Sequence, residues 1–263
     1  MAVMNDTLRL LQFTDPHLFG RREAELKGVR SYASLQQVLA HARQRHWNAE
    51  ALLLTGDLVH DDGGGYAHLR EIFGGLDKPV YCLPGNHDTP EFASALRGHP
   101  FQLGGHADLR AWRLIMLDST VPGEAHGRLS EEELQRLEQL IASADGRHLL
   151  ICLHHHPVPM ASHWLDQVRL QNAERLFEIT DRSAAVRAIA WGHVHQSFDA
   201  RRKGVRLLGA PSTCAQFMPY SERFAVDASP PGYRRLALHA DGSIETEIVR
   251  IEPAAHAALL AAG

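Results

Sequence analysis

Cysteine is scarce in this chain: Cys82, Cys152 and Cys214 are odd in number, widely separated and outside any Cys-x-x-Cys pair. Neither a disulfide framework nor a zinc–thiolate site is therefore expected, and the three read as reduced, partly buried thiols. No apolar stretch is long enough to span a bilayer, which excludes a helical membrane protein. The opening Met-Ala-Val-Met-Asn-Asp is too short and too weakly basic for a secretory signal, so a cytoplasmic protein is expected. There is no long Lys/Arg run and the formal net charge is −4, which argues against a nucleic-acid polymer as partner. A small phosphate-bearing substrate remains compatible, because a buried metal pair supplies positive charge that no count of Lys and Arg records. The one glycine run, Gly63-Gly64-Gly65, is followed neither by the Lys-Ser/Thr of a P-loop nor by the spacing of a dinucleotide fingerprint. A Gly-x-Ser-x-Gly elbow is absent too, which disfavours a serine hydrolase.

What the chain has in surplus is histidine, 18 residues in 263. Their positions carry the information. Leu8 to Phe13, Ala51 to Leu54, Pro79 to Leu83, Arg113 to Leu117, His148 to Leu153 and Arg187 to Trp191 are short apolar runs of the kind that form buried strands. His17, His60, His87, His154, His155, His156, His193 and His195 all lie just beyond such runs, where α/β folds place chemistry.

Helical patterns fall between several of the runs. Ser31 is placed to cap a helix carrying Leu35, Val38, Leu39 and Ala42 on one face. Ser130-Glu131-Glu132-Glu133 reads as a capping box, with Leu129 and Leu134 at the staple positions, and it predicts a helix over 131–144. After Trp191 the pattern turns to strands, Val205 to Gly209, Tyr233 to His239 and Ser243 to Ile251, with Asp241-Gly242 as a hairpin turn. No repeat or low-complexity linker marks a boundary. Residues 1–252 are accordingly expected to form one α/β domain, and the Ala-rich segment 253–263 a loose tail or short surface helix.

Five blocks concentrate metal-ligating residue types: Asp15-Pro16-His17, Gly56-Asp57, Gly85-Asn86-His87-Asp88, His154-His155-His156-Pro157 and Gly192-His193-Val194-His195. Each alone is a weak signal, since Asp-x-His is common, Gly-Asp is usually a turn, and a lone His after a strand is more often hydrogen-bonded structure than ligand. Together, carboxylate, imidazole and amide-oxygen donors at five strand ends would converge on one rim of a sheet. Seven or eight such donors exceed what one first-row ion needs, so two ions sharing a carboxylate are expected. N/O donors without thiolate suit Mn, Fe, Zn or Co better than a soft metal.

This ordered set, Asp-x-His, Gly-Asp, Gly-Asn-His-Asp, His-x-Pro and Gly-His-x-His, resembles the calcineurin-like metallophosphoesterases from about Leu8 to Gln196. The resemblance implies a four-layer α-β-β-α sandwich of two mixed sheets flanked by helices. It implies that Asp15, His17, Asp57 and His195 bind one divalent ion and Asp57, Asn86, His155 and His193 the other, with Asp57 bridging. His155 is chosen from the histidine run because the family's ligand is taken as the His two residues before Pro. His87 would be the catalytic non-ligand that contacts the phosphate and leaving oxygen, with Asp88 orienting it, while His17 and Asn86 would also face substrate. Apart from the resemblance, His154 and His156 alternate away from His155 if the strand persists, so at most one of them points at the metals, and His156 is a candidate substrate contact. Mn or Fe is expected from the resemblance, with Zn, Co or Mg as alternatives.

A narrower resemblance, to the bacterial 3′,5′-cyclic-AMP phosphodiesterases, rests on Asp15 to Phe19, His126-Gly127, Ser162 to Asn172 and Pro211 to Phe217. It departs at Pro16, where the family often has Thr or Leu; Pro constrains φ but leaves both flanking ligands in place. The implied reaction is hydrolysis of cyclic AMP to 5′-AMP by in-line attack of a hydroxide held between the two ions. Glycerophosphodiesters or 2′,3′-cyclic nucleotides would use the same ligands and differ only in the pocket. A scaffold of this fold with eroded ligands is the non-enzyme alternative, against which every expected ligand type is present. Cys214 is read as a packing residue, and His60 as an outer contact or surface residue.

Overall fold

The computed structural model describes residues 6–251; the Ala-rich segment 253–263 lies outside them. In chain order the strands are β1 Leu8–Phe13, β2 Glu25–Leu26, β3 Val29–Arg30, β4 Ala51–Thr55, β5 Val80–Leu83, β6 Phe101–Leu103, β7 His106–Leu109, β8 Trp112–Met116 and β9 His148–Cys152. They continue with β10 Val186–Trp191, β11 Phe198–Arg202, β12 Val205–Gly209, β13 Gln216–Phe217, β14 Val226–Asp227, β15 Gly232–Leu238 and β16 Ile244–Arg250. The helices are α1 Ser31–Arg45, α2 Gly65–Phe73, α3 Phe92–Ala95, α4 Glu131–Ala142, α5 His163–Asp166 and α6 Ala173–Thr180.

Two six-stranded sheets result, in the orders β16-β15-β1-β4-β5-β6 and β11-β12-β10-β9-β8-β7. β1, β4, β5 and β6 run parallel in the first; β8, β9, β10 and β12 run parallel in the second. The antiparallel strands stand at the margins, and β15–β16 is the hairpin expected from Asp241-Gly242, with Gly242 at φ +83°.

Strand periodicity sorts the apolar side chains into layers. Leu8 and Leu10 of β1, Leu53 of β4, Leu150 of β9 and Ala188 and Ala190 of β10 share one buried cluster between the sheets. Leu11, Phe13, Leu52 and Leu54 turn the other way and pack with Leu35, Val38, Leu39 and Ala42 of α1. On the far side Ile151, Ile189 and Trp191 pack with Leu134 and Leu137 of α4 and Leu176 of α6. Helices, sheet, sheet and helices thus form four layers, as the sequence resemblance implies. Gln12, buried between the sheets, donates to Thr55 Oγ1 at 3.0 Å and to the Trp191 carbonyl at 3.1 Å, so it joins the strands that feed the site.

Two local expectations are corrected. Ser31 is the first residue of α1 and not its cap: Arg30 takes that place without a side-chain cap, and Ser31 is buried with its hydroxyl 3.5 Å from Cys214 Sγ. Half of the capping box forms, with Ser130 Oγ accepting from Glu133 N at 3.2 Å. The Glu133 carboxylate instead accepts from Asp118 N and from Arg136, because tertiary donors compete for it.

Candidate metal centre and its pocket

The parallel strands of both sheets end on one rim, and the five sequence blocks are the loops that follow β1, β4, β5, β9 and β10. Backbone hydrogen bonds bring the first two together, Asp15 N to Gly56 O and His17 N to Asp57 O. The Asp15 carboxylate accepts from His193 N across the sheet-to-sheet gap, and Asp57 Oδ1 accepts from His87 N at 2.9 Å. Asp15, His17, Asp57, His193 and His195 all have positive φ, between 46° and 65°. This left-handed backbone costs non-glycine residues of order 1–3 kcal/mol each, and its concentration here shows that the surrounding contacts impose the geometry.

Ring nitrogens and carboxylates converge in two groups. In the first, His17 Nε2 lies 3.1 Å from His195 Nε2 and 3.6 Å from Asp57 Oδ2, while His195 Nε2 is 3.4 Å from Asp15 Oδ1. His195 Nδ1 donates to the Ala215 carbonyl at 2.7 Å, which leaves a lone pair on Nε2, and His17 Nδ1 is engaged with His60 Nδ1 at 3.0 Å. His60, left open by the sequence, is thus the residue that orients His17. In the second group His154 Nε2 lies 3.3 Å from Asp57 Oδ1 and 3.2 Å from His193 Nδ1, and His154 Nδ1 donates to the Thr55 carbonyl at 2.8 Å.

The donor chemistry fits a pair of cations. Burial pushes His17, His155 and His193 well below the usual histidine range, which leaves neutral imidazoles with lone pairs to give. Burial alone would raise the Asp57 carboxyl, but His154 and His17 hold it well below the usual carboxylate range. Burial would lower His154, yet Asp57 and Asp15 hold it up to about 9, so the two carboxylates call for positive charge at that spot. Asn86 Oδ1 is buried without a hydrogen-bond partner, a costly arrangement unless a ligand completes it. Asp57 borders both groups.

The histidine run departs from expectation. β9 ends at Cys152, so residues 154–156 do not alternate as a strand would, and all three rings gather around His193, with centroids 5.0, 4.7 and 5.5 Å away. The ring facing Asp57 is that of His154. His155 lies beside it, its Nδ1 2.8 Å from Ser119 Oγ, and Gly127 packs on its ring so tightly that a Cβ there would sit 2.3 Å from His155 Cγ. His156 is fully buried, stacks on His193 and is not part of the pocket wall, so the expected substrate contact is not made.

Asp88 is a second correction. Its carboxylate accepts from Leu58 N, Val59 N, Gly85 N and Tyr66 OH, and so clamps two loops together instead of orienting His87. The residue on His87 Nδ1 is Asp61, at 3.0 Å. No motif in the sequence pointed to Asp61; its place on the loop after Gly56-Asp57 was the only available signal. Cys214 is inert packing, since burial pushes its thiol up to about 11.

The site opens into a pocket of about 300 Å³ lined by His17, Asp57, Asn86, His87, His193 and His195 at one end, at the lower limit of small-molecule pockets, ~300–1,000 Å³. Among the described residues no helix is long and apolar enough to cross a membrane.

Two stacked mixed sheets carry carboxylates and imidazoles at their shared rim in clusters suited to a two-metal phosphoesterase site, and residues 8–197 match the calcineurin-like phosphoesterase family, to which this chain belongs. It is 41% identical to the 3′,5′-cyclic adenosine monophosphate phosphodiesterase CpdA of Haemophilus influenzae, over 94% of this chain and 91% of that one. Identity to the Escherichia coli K12 protein of the same name is 40%, over 93% and 90% of the two chains. Among solved structures, a dimetal phosphatase from Danio rerio superposes with a TM-score of 0.60 at 14% identity, covering 93% of this chain and 99% of that one, a likeness of fold.

Proposed function

We propose that this chain hydrolyses 3′,5′-cyclic AMP to 5′-AMP with two divalent ions bound between the sheet ends. The observation that carries the reading is the double convergence on Asp57, with imidazole nitrogens near each of its oxygens. The 41% identity to a cyclic-AMP phosphodiesterase supports the substrate. Asp15, His17, His195 and Asp57 would hold one ion, and Asp57, Asn86, His193 and His154 the other. His154 replaces His155 in that set because its Nε2 faces Asp57 while the Thr55 carbonyl holds the proton on Nδ1.

Bound ions would supply positive charge to the phosphate and acidify a water, with Mn²⁺ or Fe²⁺ as the proposed occupants. The chain's own part is positioning and proton transfer. His87 lines the pocket with its Nδ1 3.0 Å from the Asp61 carboxylate, a contact that orients the ring as the candidate proton donor. Phosphorus would gain the oxygen of a water that has released one proton to solvent, the bond to O3′ would break, and His87 would deliver a proton from Nε2 to O3′, leaving 5′-AMP. The buried, unpartnered Oδ1 of Asn86 would be available to the second ion.

The first test is release of 5′-AMP from cyclic AMP by protein stripped of metal and resupplied with Mn²⁺, alongside bis-p-nitrophenyl phosphate. Metal-dependent turnover of both substrates is expected. Cleavage of the nitrophenyl ester alone would remove cyclic AMP from the reading, and silence on both with Mn, Fe, Zn and Co would leave only a scaffold. The ligand choice is tested by metal content: His154→Ala should lose the second ion and about 10²-fold in turnover, whereas His155→Ala should retain both ions. The reverse pattern would restore His155 as the donor.

A further inference from the structure

The pocket has a second end unlike the first. From the metal centre the wall continues through Phe217, whose ring stacks on His195 at 3.8 Å between centroids and 6° between planes. Trp164 of α5 and Phe224 complete a three-ring cluster in which every pair meets edge to face, at 5.2–5.4 Å. Lys27, on the turn between β2 and β3, sets its ammonium 5.0 Å from the centroid of Phe224.

Two features mark this end as a binding surface. The large apolar side chains left exposed among the described residues are Met218, Tyr220, Phe224 and Val226, and all four lie on the β13–β14 hairpin at the pocket mouth. Apolar side chains gathered on one loop beside a pocket point to a ligand that covers them. The hairpin is also held in place: Trp164 Nε1 donates to Ser221 Oγ, Ser221 N donates to the buried Ser162 Oγ, and Met218 N donates to Ala225 O. A fixed aromatic wall stacks a base with little ordering left to do on binding.

We propose that Trp164, Phe217 and Phe224, with Lys27, receive the nucleobase of the cyclic nucleotide and hold it by stacking, while the phosphate lies against the metal centre; this rests on the cyclic-nucleotide reading above. Beyond the metal-centre residues the pocket lining offers polar atoms from Lys27, His60 and Trp164, the last already donating to Ser221 Oγ, and its other members, Leu26, Leu165 and Val168 among them, are apolar. Stacking is tolerant of base identity because every base has a π face. Cyclic GMP should accordingly be turned over with a kcat/KM within about fivefold of that for cyclic AMP.

The test compares cyclic AMP with a base-free 3′,5′-cyclic ribose phosphate in the Mn²⁺-loaded wild type, Trp164→Ala and Phe224→Ala. Each variant should lower the ratio of kcat/KM for cyclic AMP to that for the base-free diester by about tenfold, through KM and not kcat. Phe224→Ala guards against a folding defect, because Phe224 is 43% exposed. Binding is read separately: adenosine should quench the tryptophan fluorescence of metal-free wild type, and Trp164→Phe should abolish the quenching.

Unchanged ratios in both variants, a shared fall in kcat for both substrates, or quenching that survives in Trp164→Phe would each overturn the wall. Failure of the underlying reading looks different. Wild type would then leave cyclic AMP intact while still cleaving bis-p-nitrophenyl phosphate, and the wall would fall with it.

Discussion

Asp57→Asn protein should fold, fail to retain two ions, and lose about 10³-fold in kcat/KM toward cyclic AMP. The side chain is buried, and its two oxygens meet different imidazole groups, His17 through Oδ2 at 3.6 Å and His154 through Oδ1 at 3.3 Å. Asparagine keeps the shape and can still accept from His87 N, which Asp57 does at 2.9 Å, so the loop after β5 should stay in place. What goes is the negative charge that both ions would share. Metal analysis of the purified variant, with kcat and KM on Mn²⁺-reconstituted protein, checks this. Two retained ions with turnover near that of wild type would remove Asp57 as the bridge.

Gly192→Ala should be a strongly damaging single-methyl change at the site. A Cβ at residue 192 would stand 2.1 Å from Thr14 Oγ1, 2.7 Å from the Thr55 carbonyl and 2.8 Å from Asp15 Oδ2. Two of those three atoms belong to the first sheet's strand ends, and the third is a carboxylate oxygen that accepts from His193 N, so nothing there yields without moving the centre. Overpacking of this kind costs about 3 kcal/mol, a fall in Tm of roughly 6–12 °C for a chain of this size. Metal retention should fall with it. A thermal melt and metal analysis of the same preparation decide the matter, and a variant with wild-type Tm and two ions would show that the loops adjust.

Why these loops meet so closely also explains which details a linear reading missed. Gly56 lies beside the His154 ring, where a Cβ would come within 2.3 Å of Nδ1. The position of His154 therefore depends on a strand of the other sheet, 99 residues from Thr55, whose carbonyl takes its proton. Counting back from Pro157 does not contain that information. The partner of His87 follows the same logic: Asp88 is adjacent in sequence, but its carboxylate is claimed by three backbone amides and Tyr66, which leaves Asp61 to reach the ring.

Residue order was enough to locate the strands of both sheets that feed the site, the four layers through the family resemblance, and the blocks that meet at the rim. Each of these depends on local properties: apolar runs of strand length, turn residues at their ends, and donor types that few other functions require. The tertiary structure decided which histidine of the run faces Asp57, that His60 and Asp61 orient His17 and His87, and that an aromatic wall faces the metal centre. Those outcomes depend on how chain segments far apart in sequence, such as Ser212 and Asp15, whose Oγ and carbonyl meet across 197 residues, compete for the same hydrogen-bonding groups once the sheets have packed. That competition is settled by packing and has no counterpart in residue order.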